Sequence, residues 1–454
     1  MLTEGVDYAD ASKSTHDDVA DTFKFTDASE KITATFAQLS KGDQLIDLSN
    51  ADNDTLDLSL DINNVKQTIG SKNGATLVNI EELDITSRGA KNITFDNTIS
   101  AAGLKTIKIA GAFLNDKGND GNGFTFSGNV LKTLTTIDAS AITAGNVNID
   151  ASKATQDLTI TGPNSAASIN GGSGNDTITG QGTINAGAGD DIITITGKSD
   201  VTGGEGKDNF DVQDGKVTIT DLGAGKDIIK VAAGAEVTAT VTGEFVVSES
   251  NYVNDGSVTF KVATDVVLDL SEADGNITSI EITGSGAKVV GTVGDDTITV
   301  GSGASGTVKG GEGDDTITLA SGHSATTIVF EATATANGVD TITGFGTGTD
   351  KLNFKEANSS ATSSKVISLG ATGSAQAATD KGAIIVVSTA TDSVTSLTKG
   401  TTYVVGVVQA DDSTNFYYYT ATGTTASADE LKGLTDGLVA VVGATVVASD
   451  FVSS

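Results

Sequence analysis

Cysteine and tryptophan are absent from this chain of 454 residues, which has one proline, one methionine and two histidines. Without cysteine there is no disulfide framework and no thiol chemistry. The histidines, His16 and His323, leave no His-x-x-x-His pair and no triad with spare partners, and HExxH does not occur. Gly322-His323-Ser324-Ala325-Thr326 approaches a lipase nucleophile elbow, but Thr326 stands where the second glycine is required and no strand-to-helix turn surrounds it. Basic residues are scarce: 27 Lys and Arg against 59 Asp and Glu give a formal net charge of −32. That balance argues against nucleic acid, which wants basic patches, and favours divalent cations. No apolar run reaches the roughly 18 residues of a membrane span. The start, Met1-Leu2-Thr3-Glu4-Gly5-Val6-Asp7, is acidic and has no apolar core, so no Sec signal peptide is expected there.

Glycine, by contrast, is abundant at 55 residues, and much of it recurs in one phrase. Gly171-Gly172-Ser173-Gly174-Asn175-Asp176-Thr177-Ile178-Thr179 fits the nonapeptide G-G-x-G-x-D-x-U-x at every specified position. So do the copies that begin at Gly203 and Gly310 and carry Glu205, Lys207 and Asp208 or Glu312, Asp314 and Asp315. Looser copies contain Ala186, Ala188, Asp190 and Asp191; Ala224 and Asp227; and Gly291, Val293, Asp295 and Asp296. Asp340 and Asp350 follow in shorter echoes.

Glycines let the backbone turn tightly, so that main-chain carbonyls point at a common centre. The Asp adds a hard anionic oxygen, and calcium takes about 6–8 oxygen ligands. The apolar residue two places later (Ile178, Ile193, Phe210, Ile229, Ile298, Ile317) begins a strand and is expected to point inward. Bare Gly-Asp turns are the alternative. Against them stands electrostatics: carboxylates stacked ~5 Å apart repel by roughly 1–3 kcal/mol per pair. The residues just named, from Gly171 to Asp350, are therefore the expected calcium ligands.

These repeats resemble the RTX (repeat-in-toxin) family, which implies a calcium-loaded, right-handed parallel β-roll or β-helix. The spacing departs from the family pattern of nine residues: Asp176 to Asp191 is 15, Asp191 to Asp208 is 17, and Asp208 to Asp227 is 19. One loop per coil, and a single calcium row along one edge, is the expectation. The opposite corners, Gly180-Gln181-Gly182, Lys198-Ser199-Asp200 and Gly215-Lys216, lack the motif.

Along the chain, residues 1–60 read as a lead-in with acidic turns. Residues 61–230 read as β-solenoid, because short period-2 strands such as Leu83-Asp84-Ile85-Thr86 and Thr106-Ile107-Lys108-Ile109 recur without helical spacing. Phrases such as Leu134-Thr135-Thr136-Ile137-Asp138-Ala139-Ser140 are similar to those of RTX-type bacterial surface-layer proteins. The loop Asn115–Gly123 reads as a plain turn or an extra calcium site. Residues 231–284 lack glycine motifs and read as an interruption or side hairpin. Residues 285–355 resume the solenoid, and 356–454 read as a β-rich cap. The ending Ala448-Ser449-Asp450-Phe451-Val452-Ser453-Ser454 resembles that of proteins exported by type I secretion.

The expected protein is a non-enzymatic, calcium-dependent, extracellular subunit of a bacterial surface lattice, self-associating, with cell-surface polysaccharide as a candidate partner. An RTX adhesin or biofilm-matrix protein is the first alternative. A β-helix enzyme acting on polysaccharide is the second, and it needs a basic residue beside a carboxylate on a solenoid face.

Overall fold

In the computed structural model the chain is described continuously over residues 147–223, 226–273 and 277–354, and in shorter stretches, mostly strands, between 22 and 144 and between 366 and 452. The lead-in as far as 21, including His16, the loop residues 114–121, Ala224 and the last two serines lie outside the described residues. The chain divides into two compact units, 1–237 and 238–454. Among the described residues almost all regular structure is β, and two α-helices, Ala334–Asn337 and Ala428–Lys432, are four and five residues long.

Unit 1 is a parallel β-solenoid. Alternation decides its sides: Ile192–Glu205, for example, reads exposed-buried through most of its length, as a strand with one face inward must. The inward residues stack in register. Leu56, Leu83, Ile107, Ile137, Ile160, Ile178, Ile193, Phe210 and Ile229 are consecutive Cα partners, each at most 1% exposed. A second apolar column on the other side runs Ile149, Ile169, Ile184, Val201, Ile219. Fully burying each such side chain contributes about 1.5–3 kcal/mol, so the columns supply the core. The earlier coils carry a short third strand, as in the parallel set Gln44–Ile46, Thr76–Val78 and Ala101–Ala102.

Unit 2 repeats the principle with the columns Phe260, Ile280, Ile298, Ile317, Ile342 and Phe245, Leu268, Val289, Val308, Ile328, Leu352. The stretch expected as an interruption does not leave the stack as a hairpin. Phe245–Val246 pairs in parallel with Val267–Asp269, and Ser257–Val262 with Ile277–Ile282. Losing the glycine motif changes the loops there, while the β-branched alternation that makes the strands persists.

Toward the C-terminus the pairing changes direction. Thr402–Val408 and Thr414–Thr420 form an antiparallel pair. Leu438–Val442 lies antiparallel to the latter and parallel to Asp340–Thr343. Phe354 stacks on Phe330 at a 4.3 Å centroid distance and also touches Phe416 and Phe451. The Asp450-Phe451 ending is thus packed: Asp450 is fully buried and Phe451 is 1% exposed.

Candidate metal centre

The motif aspartates come together in two rows, one in each unit. Asp176, Asp191, Asp208 and Asp227 are each 1% exposed, as is Asp315; Asp296 is 4% and Asp340 1%. All but Asp296, which accepts from Thr292 N–H in its own loop at 2.5 Å, reach back one coil. The Oδ1 of Asp191 accepts from the backbone N–H of Asp176 at 2.7 Å, that of Asp208 from Asp191 at 3.0 Å, and that of Asp227 from Asp208 at 3.0 Å. In unit 2, Asp315 accepts from the N–H of Asp296 at 2.9 Å and Asp340 from that of Asp315 at 3.3 Å. Asp176 starts its row on Leu158, at 2.8 Å.

The residue just before the motif Asp reaches the other way. Asn175 Oδ1 accepts from the N–H of Asp190, Asp190 Oδ1 from Lys207, Asp295 Oδ1 from Asp314, and Asp314 Oδ1 from Val339, all at 2.7–2.8 Å. Adjacent side chains therefore stitch the Asn175-Asp176, Asp190-Asp191 and Asp314-Asp315 loops to the coils on both sides. Sequence reasoning missed this second set, although the repeated dipeptides Asn175-Asp176, Asp190-Asp191, Asp295-Asp296 and Asp314-Asp315 were its visible sign. Lys207 has no carboxylate or amide oxygen to continue the forward stitch.

Glycine geometry shows which loops stack. At Gly206 φ is +120°, and an added Cβ would stand 2.1 Å from the carbonyl oxygen of Gly189 one coil back. Gly187, Gly204 and Gly311 likewise face the carbonyl of the loop before them with positive φ. The loops Gly171–Asp176 and Gly291–Asp296 have no positive-φ glycine. Gly174 instead abuts Gln156 and Asp157, which belong to no Gly-Asp loop. These two are the starting loops of their rows, so an identical motif takes two backbone forms according to what lies beneath it.

The inner carboxylate oxygens decide what the rows can hold. Asp176 Oδ2, Asp191 Oδ2 and Asp315 Oδ2 are buried without a hydrogen-bond partner. A Cβ on Gly171 would come within 2.5 Å of Asp176 Oδ2, and one on Gly310 within 1.9 Å of Asp315 Oδ2. The first motif glycine thus leaves room against the unpartnered oxygen. Burial holds these carboxyls far above the usual range: Asp176 and Asp208 to about 6, Asp191 to about 7, Asp315 and Asp340 to about 8. The neighbouring carboxylates of the row, with Glu331 beside Asp315 and Asp340, add to the rise.

The third and fifth loop positions, Ser173, Asn175, Glu205, Lys207, Val293, Asp295, Glu312 and Asp314, are exposed, while Gly171, Ala186, Gly203, Gly291 and Gly310 are buried and Ala188 is half-buried. Among the described residues no three acidic or histidine side chains converge on one point. The donor set is one buried carboxylate oxygen per loop beside main-chain oxygens, which suits calcium and not zinc.

Asp350 stands apart. Its Oδ1 accepts from Thr326 N–H at 2.9 Å, its Oδ2 accepts from Gly346 N–H at 2.7 Å and meets His323 Nε2 at 2.9 Å. His323 Nδ1 lies 2.9 Å from the Ala320 carbonyl. Burial alone would lower the imidazole pKa, but the bonds to Asp350 and Ala320 outweigh it and raise it. The opposite corners hold no carboxylate row. There the buried Ser199 hydroxyl accepts from Gly182 N–H at 3.1 Å. Compared with known proteins, the chain matches no family model and no curated protein.

Proposed function

We propose that the chain is a calcium-dependent structural protein of the cell exterior, a subunit of a surface lattice or similar assembly exported by type I secretion. The observation that carries this reading is the pair of aspartate rows, in which Asp176, Asp191 and Asp315 keep an unpartnered buried oxygen and Asp208, Asp296 and Asp340 a raised pKa that a cation would relieve. Main-chain oxygens of the loops, with Asp176, Asp191, Asp208 and Asp227 in one unit and Asp296, Asp315 and Asp340 in the other, would hold the ions. An ion between adjacent loops replaces carboxylate repulsion by attraction. Four loops in one row enclose three such spaces and three loops in the other enclose two. Millimolar-range affinity, as in other extracellular calcium modules, keeps the chain from rigidifying before it leaves the cell. Calcium also cancels part of the −32 charge that holds copies apart.

The test is electron microscopy of the purified chain with millimolar calcium and with EGTA, beside calcium titration calorimetry. Sheets or filaments that form with calcium and dissolve with EGTA are expected. Monodisperse rods that bind calcium would favour the adhesin, and no calcium uptake would end the proposal.

A further inference from the structure

The solenoid of unit 2 ends on two ladders, Asp340–Thr343 in one sheet and Lys351–Asn353 in the other. The residues that come next in the chain do not cover them. Leu438–Val442 lies parallel on the first, with Ala440, Val441 and Val442 opposite Asp340, Thr341 and Ile342. On the second, Phe451 bridges in parallel to Leu352, and the Val452 N–H donates to the Leu352 carbonyl at 3.2 Å. The segment 438–452 therefore supplies one more coil, in register with the columns beneath it, from far along the chain.

Side chains fix this coil in place. Asn337 is fully buried, and its Nδ2 donates to the Val439 carbonyl at 2.8 Å and to Asp340 Oδ2 at 3.0 Å. The Gly348 N–H donates to Asp450 Oδ1 at 2.5 Å, and Thr347 Oγ1 to the Thr445 carbonyl at 3.0 Å. Lys351 Nζ donates to the Ser449 carbonyl. Without the coil the buried Asn337 amide loses an acceptor and both ladders end open, a liability because open edges pair with other chains.

The end of the solenoid is thus a docking site whose occupant is defined, and every copy of the chain carries that occupant. Nothing local ties a coil to its own solenoid, because residues 355–437 separate the two in sequence. A coil from a second copy makes the same contacts bond for bond, which is why exchange of identical elements is a low-cost route between copies. Concentration then decides. A tether gives its own coil an effective concentration of roughly millimolar or below, falling as the tether lengthens. Copies packed in a coat reach that range, and dilute chains do not.

We propose that the solenoid end of unit 2 is a docking site between copies. A dilute chain closes on its own coil 438–452. In the assembled state neighbouring copies exchange that coil, together with the antiparallel strands Thr402–Val408 and Thr414–Thr420 beside it. The inference rests on the self-assembly reading above and uses none of the Gly-Asp loops.

The experiment uses cysteines, which the chain lacks. Thr341 and Val441 are Cα partners, the first exposed and the second half-buried. Neighbouring strands lie about 4.8 Å apart, a separation that a disulfide spans. Full-length Thr341→Cys and Val441→Cys chains are mixed in EGTA, assembled with calcium, oxidised with diamide and run on a denaturing gel without reductant. A band at the mass of two chains is expected from the mixture and from neither variant alone. The double variant T341C/V441C should bridge within one chain when dilute, seen as faster migration, and should link chain to chain once assembled. Sheets or filaments in electron micrographs of a mixture without the two-chain band overturn the exchange and leave the lattice reading standing. A two-chain band equally strong in one variant alone also overturns the exchange. Failure to assemble overturns both readings, and a dilute double variant that forms no bridge overturns the docking of the coil itself.

Discussion

At the residue level, Asp176, Asp191 and Asp315 each have two tasks held by two different oxygens. Oδ1 fixes the backbone of the previous coil, and Oδ2 is what a cation could claim. Substitution separates them. Asp191→Ala loses both, leaves the Asp176 N–H buried and unpaired, and should cost about 1–3 kcal/mol in denaturant unfolding even without calcium. Asp191→Asn keeps an acceptor for that N–H and should fold, yet lose the rise in melting temperature that calcium gives the parent. Equal behaviour of the two variants would dissolve the distinction. Their pH response follows from the same burial. Asp176, Asp191, Asp208, Asp315 and Asp340 all have raised pKa values, so the folded state binds more protons than the unfolded state between about pH 4 and 8. That stability is full below pH 4 and is lost as pH rises through 6 to 8. The metal-free melting temperature should therefore fall over this range for these groups, and calcium should remove most of the fall; scanning calorimetry with EGTA and with calcium checks both. His323 has the same sign, its bond to Asp350 strongest while the ring is charged. The ring signals of His323 in a histidine NMR titration should move above pH 6.5, and Asp350→Asn should bring them back.

At the element level, the unit of construction is one coil, and its legibility was uneven. The inward column through Ile178, Ile193, Phe210 and Ile229 could be read from the chain because strand alternation is a local property. So could one loop per coil, since the 15-, 17- and 19-residue intervals leave room for nothing else. The continuity of coils through 245–282 could not, because loss of the glycine phrase looks like loss of the fold when only the loops are distinctive. Nor could the pairing of Asp340 with Ala440 and of Leu352 with Phe451, which are remote in the chain and meet only through register. The two backbone forms of one motif depend on the coil beneath, which no single nonapeptide contains. Stacked loops should tolerate less than their sequence suggests. Gly206→Ala forces a side chain into positive φ against the Gly189 carbonyl. It should destabilise by more than about 1 kcal/mol in chemical denaturation, whereas Gly234→Ala, with open space around it, should pay only for its own backbone strain.

At the scale of the molecule, the acidic surface and the C-terminal packing set limits on assembly and export. Phe451 lies against Phe354 and Phe416, so the export signal proposed for this end would have to be read before the chain folds. Phe451→Ala should cost about 3–5 kcal/mol in unfolding experiments on the purified protein, with export from a strain carrying a type I exporter unchanged. Full retention inside the cell would place the phenyl ring in the signal itself.

The two-way stitching has a mechanical side. Every boundary between loops in the rows is held by side-chain bonds that run along the stack as well as by the strand ladder, so a pull that peels the solenoid from one end loads one boundary at a time. A chain tethered at both ends in an optical trap should yield in separate steps. With calcium, each step through residues 176–227 should release one coil of 15 to 19 residues, roughly 5–7 nm of extended chain. A surface coat made of such subunits would give way by small lengthenings under shear and re-form its coils when the flow relents.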